Sequence, residues 1–317
     1  MLLLLALAGV TSLVLGSRVT DPAAVWAVLT GGGDEYLRQV ISARIPRTVL
    51  GAVVGAALAA SGLLIQGITR NPLGEPGLLG VTSGASAAVV TATAFLGFSG
   101  GTATVWIALP GALLAVLLVV VMGRPSGSHS VVPLILAGAV VSAVLYAYIQ
   151  AMILTRPATF DSYRYWVVGS LAGANFSTLA AVAPALLLGV ALAVVVAPGM
   201  NTLALGDDVA TALGTPVRAL RLGAILAATL LAAAATAAAG PITFVGLAVP
   251  HLVRAIVGSD HRWQLPISLL LGATLLISSD ILARVVARPS ELMVGVVTAF
   301  LGAPFLLLAV RRGKVGA

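Results

Sequence analysis

Cysteine is missing from all 317 residues, which excludes disulfides, thiolate metal ligands and a cysteine nucleophile together. Lysine is almost missing as well. Lys314 is the only one, so a G-x-x-x-x-G-K-[ST] phosphate loop cannot be written anywhere in the chain. Charged residues make up 9% and aromatics 5%, while 60% are hydrophobic and the mean hydropathy is +1.12. Such values lie far outside those of soluble domains. The chain therefore reads as an all-α polytopic membrane protein. A spanning helix takes roughly 20 residues, which leaves room for about ten spans in a single membrane domain, residues 1–317, without a sizeable soluble part. The net charge of +7 does not imply nucleic acid, because arginines in so apolar a chain collect at span ends and anchor to lipid headgroups.

What stands out against this background is one polar island, NTLALGDDVATALGTPVRALR, from Asn201 to Arg221. Gly206 breaks the preceding apolar run, and Asp207 and Asp208 supply an N-cap and negative charge at the positive end of a helix dipole. Gly214 is placed to end that helix in the left-handed conformation, after which Thr215 can cap a second helix with Pro216 at its first position. Val209, Ala212 and Leu213 share one face. The spacing predicts helix, sharp turn, helix, lying along a membrane surface where another protein could push on it.

Elsewhere the apolar runs predict spans. Leu2 to Gly16 is read as an uncleaved first helix, and Pro22 to Leu29 as an amphipathic piece on the outer surface. Pro46 is expected to open the second span, 46–65, whose Gly51, Gly55, Ala59 and Gly62 form a small-residue stripe for close helix packing. The loop Arg70 to Gly80 holds two prolines and several glycines, so it cannot be continuous helix and must be buried in protein or line water. Further spans are expected at 78–97, 104–123, 132–155, 177–196, 222–239, 242–257, 264–287 and 292–310, with a short surface helix inside Arg156 to Asn175. An even count puts both termini on one side, and the Arg311 to Lys314 tail argues that this side is cytoplasmic. The island then faces the cytoplasm too, and Arg44, Arg47, Arg284 and Arg288 form a basic rim on the outer side.

Single ionisable residues have ordinary explanations. Asp280 lies in an apolar run, where a carboxylate is costly; Arg284, four residues on, is its expected partner. His251 is read as a packed residue, His261 as an interfacial loop residue and Glu291 as a cap for the last span. The three histidines lack a zinc or iron spacing, so no metal site and no catalytic residue are expected.

At RIPRTVLGAVVGAALAASGLLIQGITRNPLGEPGLLGVTSGA, Arg44 to Ala85, the chain resembles the permease subunits of type II ABC importers for iron siderophores, haem and vitamin B12. The resemblance returns in LALGDDVATALG, in GPITFVGLAVPHLVRAIVGSDHR and in ELMVGVVTAFLGAPFLLLAVRR, Glu291 to Arg312. It implies a ten-span bundle in the cell membrane, paired with a second permease subunit, identical or related. It also implies two cytoplasmic ATPase subunits that use ATP and Mg, this chain binding no cofactor of its own. Their coupling site would be Gly206, Asp207, Asp208, Ala212, Leu213 and Gly214. An extracytoplasmic solute-binding protein would dock on Arg44, Arg47 and Arg284, and a cytoplasmic gate would comprise Asn71, Leu73 and Ser130. Beside Ser130, Val131 departs from the family's hydroxyl residues.

Two other classes compete. An ion-coupled secondary transporter needs an ionisable residue near the midplane, and Asp280 sits too near a span end. An intramembrane hydrolase needs a nucleophile and base in reach; Ser83 and His251 are the available pair, without a motif to support them.

Overall fold

The computed structural model describes residues 1–16, 20–98, 101–123 and 131–311. Within them are thirteen α-helices: α1 Leu2–Val14, α2 Pro22–Leu29, α3 Glu35–Thr69, α4 Val81–Leu96, α5 Thr102–Met122, α6 Val132–Thr155, α7 Pro157–Val167, α8 Phe176–Ala204, α9 Asp207–Ala212, α10 Val217–Ala239, α11 Val245–Val257, α12 His261–Val286 and α13 Val294–Arg311. Six of these, α3, α5, α6, α8, α10 and α12, are long and apolar enough to cross a membrane; α1, α4 and α11 are apolar but shorter, and α13 is apolar over its described part, Val294–Pro304. A 13-residue helix rises only about 20 Å, well short of the ~30 Å hydrocarbon layer. The ten apolar helices thus correspond to the ten expected runs, α1, α4 and α11 among them needing non-helical chain to complete a crossing.

Starts follow the local chemistry. Asp21, Asp34, Asn175 and Asp260 each accept a backbone N–H at the head of α2, α3, α8 and α12, a contribution of about 1 kcal/mol apiece. The cap at Asp34 corrects one expectation: α3 begins at Glu35, and Pro46 lies inside it rather than opening it. Likewise α8 runs through Pro184 and Pro198 to Ala204, well past residue 196, and α12 begins at His261, upstream of Pro266. α2 and α7 stand where short surface helices were expected.

α3 is the pillar of the bundle. Its apolar window and that of α10 are 72% and 78% buried, against 22% for α6 and 28% for α8, so α3 and α10 are central and α6 and α8 peripheral. The reason is side-chain size. A Cβ on Gly55 would run into the carbonyl of Gly272 on α12, and one on Gly62 into that of Gly246 on α11; the small-residue stripe is where three backbones meet. Around α10, the run from Ala232 to Ala235 is buried on every side.

Between α10 and α11 the chain leaves helix from Gly240 to Phe244. The expected span 242–257 therefore starts only at Val245, with Phe244 left-handed at φ 69°. Gly240 lies against the Trp166 carbonyl of α7 and Gly246 against Gly62 of α3. Gly240 and Ile242 of this irregular stretch are buried in protein, whereas Thr243 is exposed.

Candidate functional site

At one end of the bundle sits the island. α8 stops at Ala204, and Gly206 at φ 114° turns the chain into α9. Gly206 itself is the N-cap, without a side-chain bond, and Asp207 and Asp208 occupy the first helical turn. Their charge meets the helix dipole, while neither carboxylate acts as the cap. The far end matches expectation closely: Gly214 takes φ 78°, its N–H reaches the Thr211 carbonyl at 2.9 Å, and the Thr215 N–H reaches that of Ala210 at 2.9 Å. That pair of bonds is a Schellman motif.

The second short helix does not exist as a separate piece. Pro216 is the N-cap position, and α10 runs unbroken from Val217 into its span. The Thr215 hydroxyl is not a cap; it lies 2.9 Å from that of Thr202 and ties the turn back to α8. Within α9, Ala210 is buried, whereas Val209, Ala212 and Leu213 are exposed. The apolar face points away from this chain.

Asp207 points the other way. Its carboxylate pairs with Arg221 of α10 at 2.8 Å and with Arg70, the residue that ends α3. Arg70 is left-handed at φ 49°, and its Nε also donates to the Leu203 carbonyl at 3.1 Å. Immediately after it, the Asn71 side chain accepts the Leu73 N–H at 2.9 Å, and the Gly74 N–H reaches the Asn71 carbonyl at 2.9 Å. These bonds close a tight turn with Leu73 exposed at its tip. A cleft of about 410 Å³ opens there, lined by Ile68, Thr69, Arg70, Val131, Asp207, Asp208 and Arg221. Val131 thus joins the Asn71 turn and the island in one place; Ser130 lies outside the described residues.

Behind the turn, the loop is pinned into the core. The Phe244 N–H bonds the Glu75 carboxylate, placing negative charge at the head of α11. Gln66 Nε2 donates to the carbonyls of Gly246 and Leu247 at 3.2 Å each. Nearby, Asn201 ties α8 to α12: its Nδ2 donates to Asp260 at 2.6 Å, and its Oδ1 accepts the His261 N–H at 2.8 Å. His261 is buried, not the interfacial loop residue expected.

At the opposite end stand the arginines, and here the expectation of an open basic rim is corrected. Arg44 and Arg284 are 8% and 2% exposed. Arg44 donates to the carbonyls of Leu13 and Val14 at 2.6 and 3.2 Å and to Thr20 Oγ1 at 2.8 Å. Arg284 donates to the Ser12 carbonyl at 3.0 Å and to its hydroxyl at 2.6 Å, and Arg288 to the Gly16 carbonyl at 2.7 Å. Three guanidiniums therefore cover the last carbonyls of α1 and the chain just beyond, the negative end of its dipole. Arg284 pairs with Asp280 at 3.0 Å, as the i, i+4 spacing predicts. Missed by that spacing is Arg47, which also binds Asp280 and holds Glu291 at 2.7 Å. Glu291 is a counter-ion, and α13 starts three residues after it.

Neither rival class gains a site. Asp280 is shared between two arginines, and Ser83 Oγ donates to the Gly80 carbonyl and to Ser142 Oγ.

Comparison with known proteins agrees with this geometry. The family model of the FecCD transport family matches residues 3–312. The chain is 43% identical over 318 residues to the ferric enterobactin transport system permease protein FepD of Escherichia coli (strain K12), covering 100% of this chain and 95% of that protein. To the Fe(3+) dicitrate transport system permease protein FecD of the same organism it is 39% identical, over 97% and 96%. A solved inward-facing structure of a metal-chelate type ABC transporter superposes with a TM-score of 0.84 at 30% identity, covering 98% and 96% of the two chains.

Proposed function

The chain belongs to the FecCD transport family, and from that premise we propose that it is the permease through which a ferric siderophore enters the cell, driven by ATP hydrolysed on separate subunits. As a transport permease it is not an enzyme. The substrate class rests on FepD and FecD, both named for ferric chelates. The observation that carries the mechanism is α9: a short helix with Val209 and Leu213 exposed and its rear carboxylate bound to the residue before the Asn71 turn. An exposed apolar face on a membrane-surface helix suits a protein partner, and we assign it to the ATPase subunits, which would bind ATP and Mg. The gate is then the Asn71 to Gly74 turn with the segment before Val131, opening when α9 is displaced. Both termini and α9 would lie in the cytoplasm, and a second permease subunit would complete the path.

For the solute-binding protein we retain the arginine end, with altered roles. Arg44 and Arg284 are occupied by α1. Arg47 is held by Glu291, whose side chain is 31% exposed. A partner carboxylate can displace Glu291 from Arg47 without uncovering any buried group, and charge-assisted bonds of this kind fix register and assist encounter.

The test is purification from cells followed by reconstitution in vesicles. An ATPase subunit should copurify, and uptake of the ferric chelate should require ATP. Uptake that follows a proton or sodium gradient without nucleotide would reject the proposal.

A further inference from the structure

Arg70 occupies an unusual place in the chain. It is the C-cap residue just after the central helix α3, the first of the turn that carries Asn71 and Leu73, and one of two non-glycine residues with positive φ among those described. Non-glycine residues rarely stay in the left-handed region unless their surroundings hold them there. Its N–H bonds the Gln66 carbonyl, and its side chain adds two further ties. Nε is bonded to the carbonyl of Leu203, at the end of α8, and the neighbouring nitrogen to Asp207, the first residue of α9. The two acceptors lie on opposite sides of Gly206, whose φ of 114° and empty surroundings make it the natural pivot between α8 and α9. A rotation of α9 about Gly206 moves Asp207 while Leu203 stays, so it acts directly on the guanidinium that spans them.

Asp207 is also the only residue through which α9 is ion-paired to the rest of the chain among the described residues, and it is shared. Arg221 on α10 reaches both of its oxygens, Oδ1 at 2.9 Å and Oδ2 at 2.8 Å, so that it shares Oδ1 with Arg70. Displacing α9 therefore changes how one carboxylate divides itself between two cations, one anchored in a span and the other carrying the turn. That is the discrete, two-state kind of contact through which a small displacement becomes a larger one. Asp208, one residue on, is exposed and makes no ion pair with the described residues.

We propose that Arg70 is the transmission residue of this permease: its guanidinium links Asp207 of the ATPase-facing helix to the Asn71–Leu73 turn, so that movement of α9 resets the turn through this one side chain. The inference rests on the reading of α9 as the ATPase contact. Arginine suits the task because a planar fork holds two acceptors in fixed relation, whereas a lysine ammonium would keep the charge without the geometry.

The absence of native cysteine makes a substrate-independent test available. The chain carrying Leu73→Cys is purified with its ATPase subunits, and labelling of position 73 by a membrane-impermeant maleimide is timed without nucleotide and during ATP hydrolysis. The rate is expected to change by roughly fivefold or more between the two states. Adding Arg70→Gln should reduce that change to less than about twofold, with ATPase copurification and hydrolysis retained; Arg70→Lys should restore it only in part. In complexes that retain the ATPase, Asp207→Asn should shrink the nucleotide response at position 73 as Arg70→Gln does, and the double variant should shrink it no further than either alone. A full nucleotide response at position 73 in the Arg70→Gln complex would overturn the inference alone. No nucleotide response even with Arg70 intact would overturn it as well. Failure of the unaltered chain to retain an ATPase would overturn the reading of α9 and take this inference with it.

Discussion

Arg47 on α3 and Asp280 on α12, 233 residues apart in the chain, meet in a two-pronged bond: Nε lies 3.0 Å from Oδ2 and Nη2 2.8 Å from Oδ1. Asp280 simultaneously neutralises Arg284 one turn along its own helix. Its side chain is 3% exposed, so the carboxylate is the counter-charge for two guanidiniums in a place where water cannot replace it. Asp280→Ala should destabilise the fold by about 3–5 kcal/mol, the usual cost of leaving a buried charge unpaired. The check is a lowered unfolding temperature in detergent. Wild-type stability in that variant would mean that the pair is exchangeable with solvent.

Glu291 offers the complementary test. It holds Arg47 from a half-exposed position, so removing its charge frees one face of Arg47 while leaving Asp280 in place. Glu291→Gln should tighten binding of the solute-binding protein by roughly three- to tenfold at low salt, the gain shrinking as salt is raised. Titration of the purified pair measures it. An affinity unchanged or lowered at low salt would remove Arg47 from the docking surface.

Two glycine contacts on α3 predict a sharp contrast. Gly62→Ala would drive a methyl group into the Gly246 backbone and Gly55→Ala one into the Gly272 backbone, where nothing flexible can yield. Each should abolish or strongly lower the amount of folded protein, since overpacking a tight contact typically costs ~1–3 kcal/mol or more. Gly9→Ala meets nothing within 4 Å and should be silent. Monodisperse yield after solubilisation separates the three; folded Gly62→Ala at normal yield would contradict the close approach of α3 and α11.

How legible this molecule was depended on the range of the interaction. The Schellman end at Gly214, the Asp280–Arg284 pair and the small-residue stripe of α3 are local or periodic, and each was readable from spacing. Pro46 does not open its span as its place before the apolar run suggests, because in a bundle neighbouring helices and polar side chains compensate the missing N–H of a proline inside a helix. The burial of the arginines is illegible for a different reason. Arg44 and Arg284 find the carbonyls of α1, and a backbone carbonyl leaves no mark in the letters of an apolar run. The place of Arg70 is equally illegible, since its partners Leu203 and Asp207 are more than 130 residues away.

Orientation can be settled with the same cysteine-free background. Leu213 is 62% exposed on the island end and Trp26 is 69% exposed on α2, which lies near the head of α3 at the arginine end. Leu213→Cys should react with an impermeant reagent only after the cells are opened, and Trp26→Cys in intact cells. The reverse pattern would put the island outside, where no nucleotide-driven partner could reach it.

The apolar face of α9 gives the last prediction. Val209 and Leu213 are four residues apart, so they lie on one side of the helix, and both are largely exposed while Ala210 alone is buried. Neither is bonded to Asp207 or Arg70 among the described residues, so changing them is expected to leave the internal linkage intact and to alter what the helix shows to a partner. Placing one charge in an apolar contact leaves it desolvated and unpaired, so Leu213→Asp should weaken ATPase retention by about tenfold or more, or at least ~1.4 kcal/mol, without lowering the unfolding temperature of the permease alone. Val209→Asp should behave alike. Arg218→Ala is the control for charge at a neighbouring exposed position and should have a smaller effect. Retention of the ATPase by Leu213→Asp at the unaltered level would show that the partner grips some other part of this end, and the exposed valine and leucine would then need another explanation, such as burial in the lipid headgroup layer.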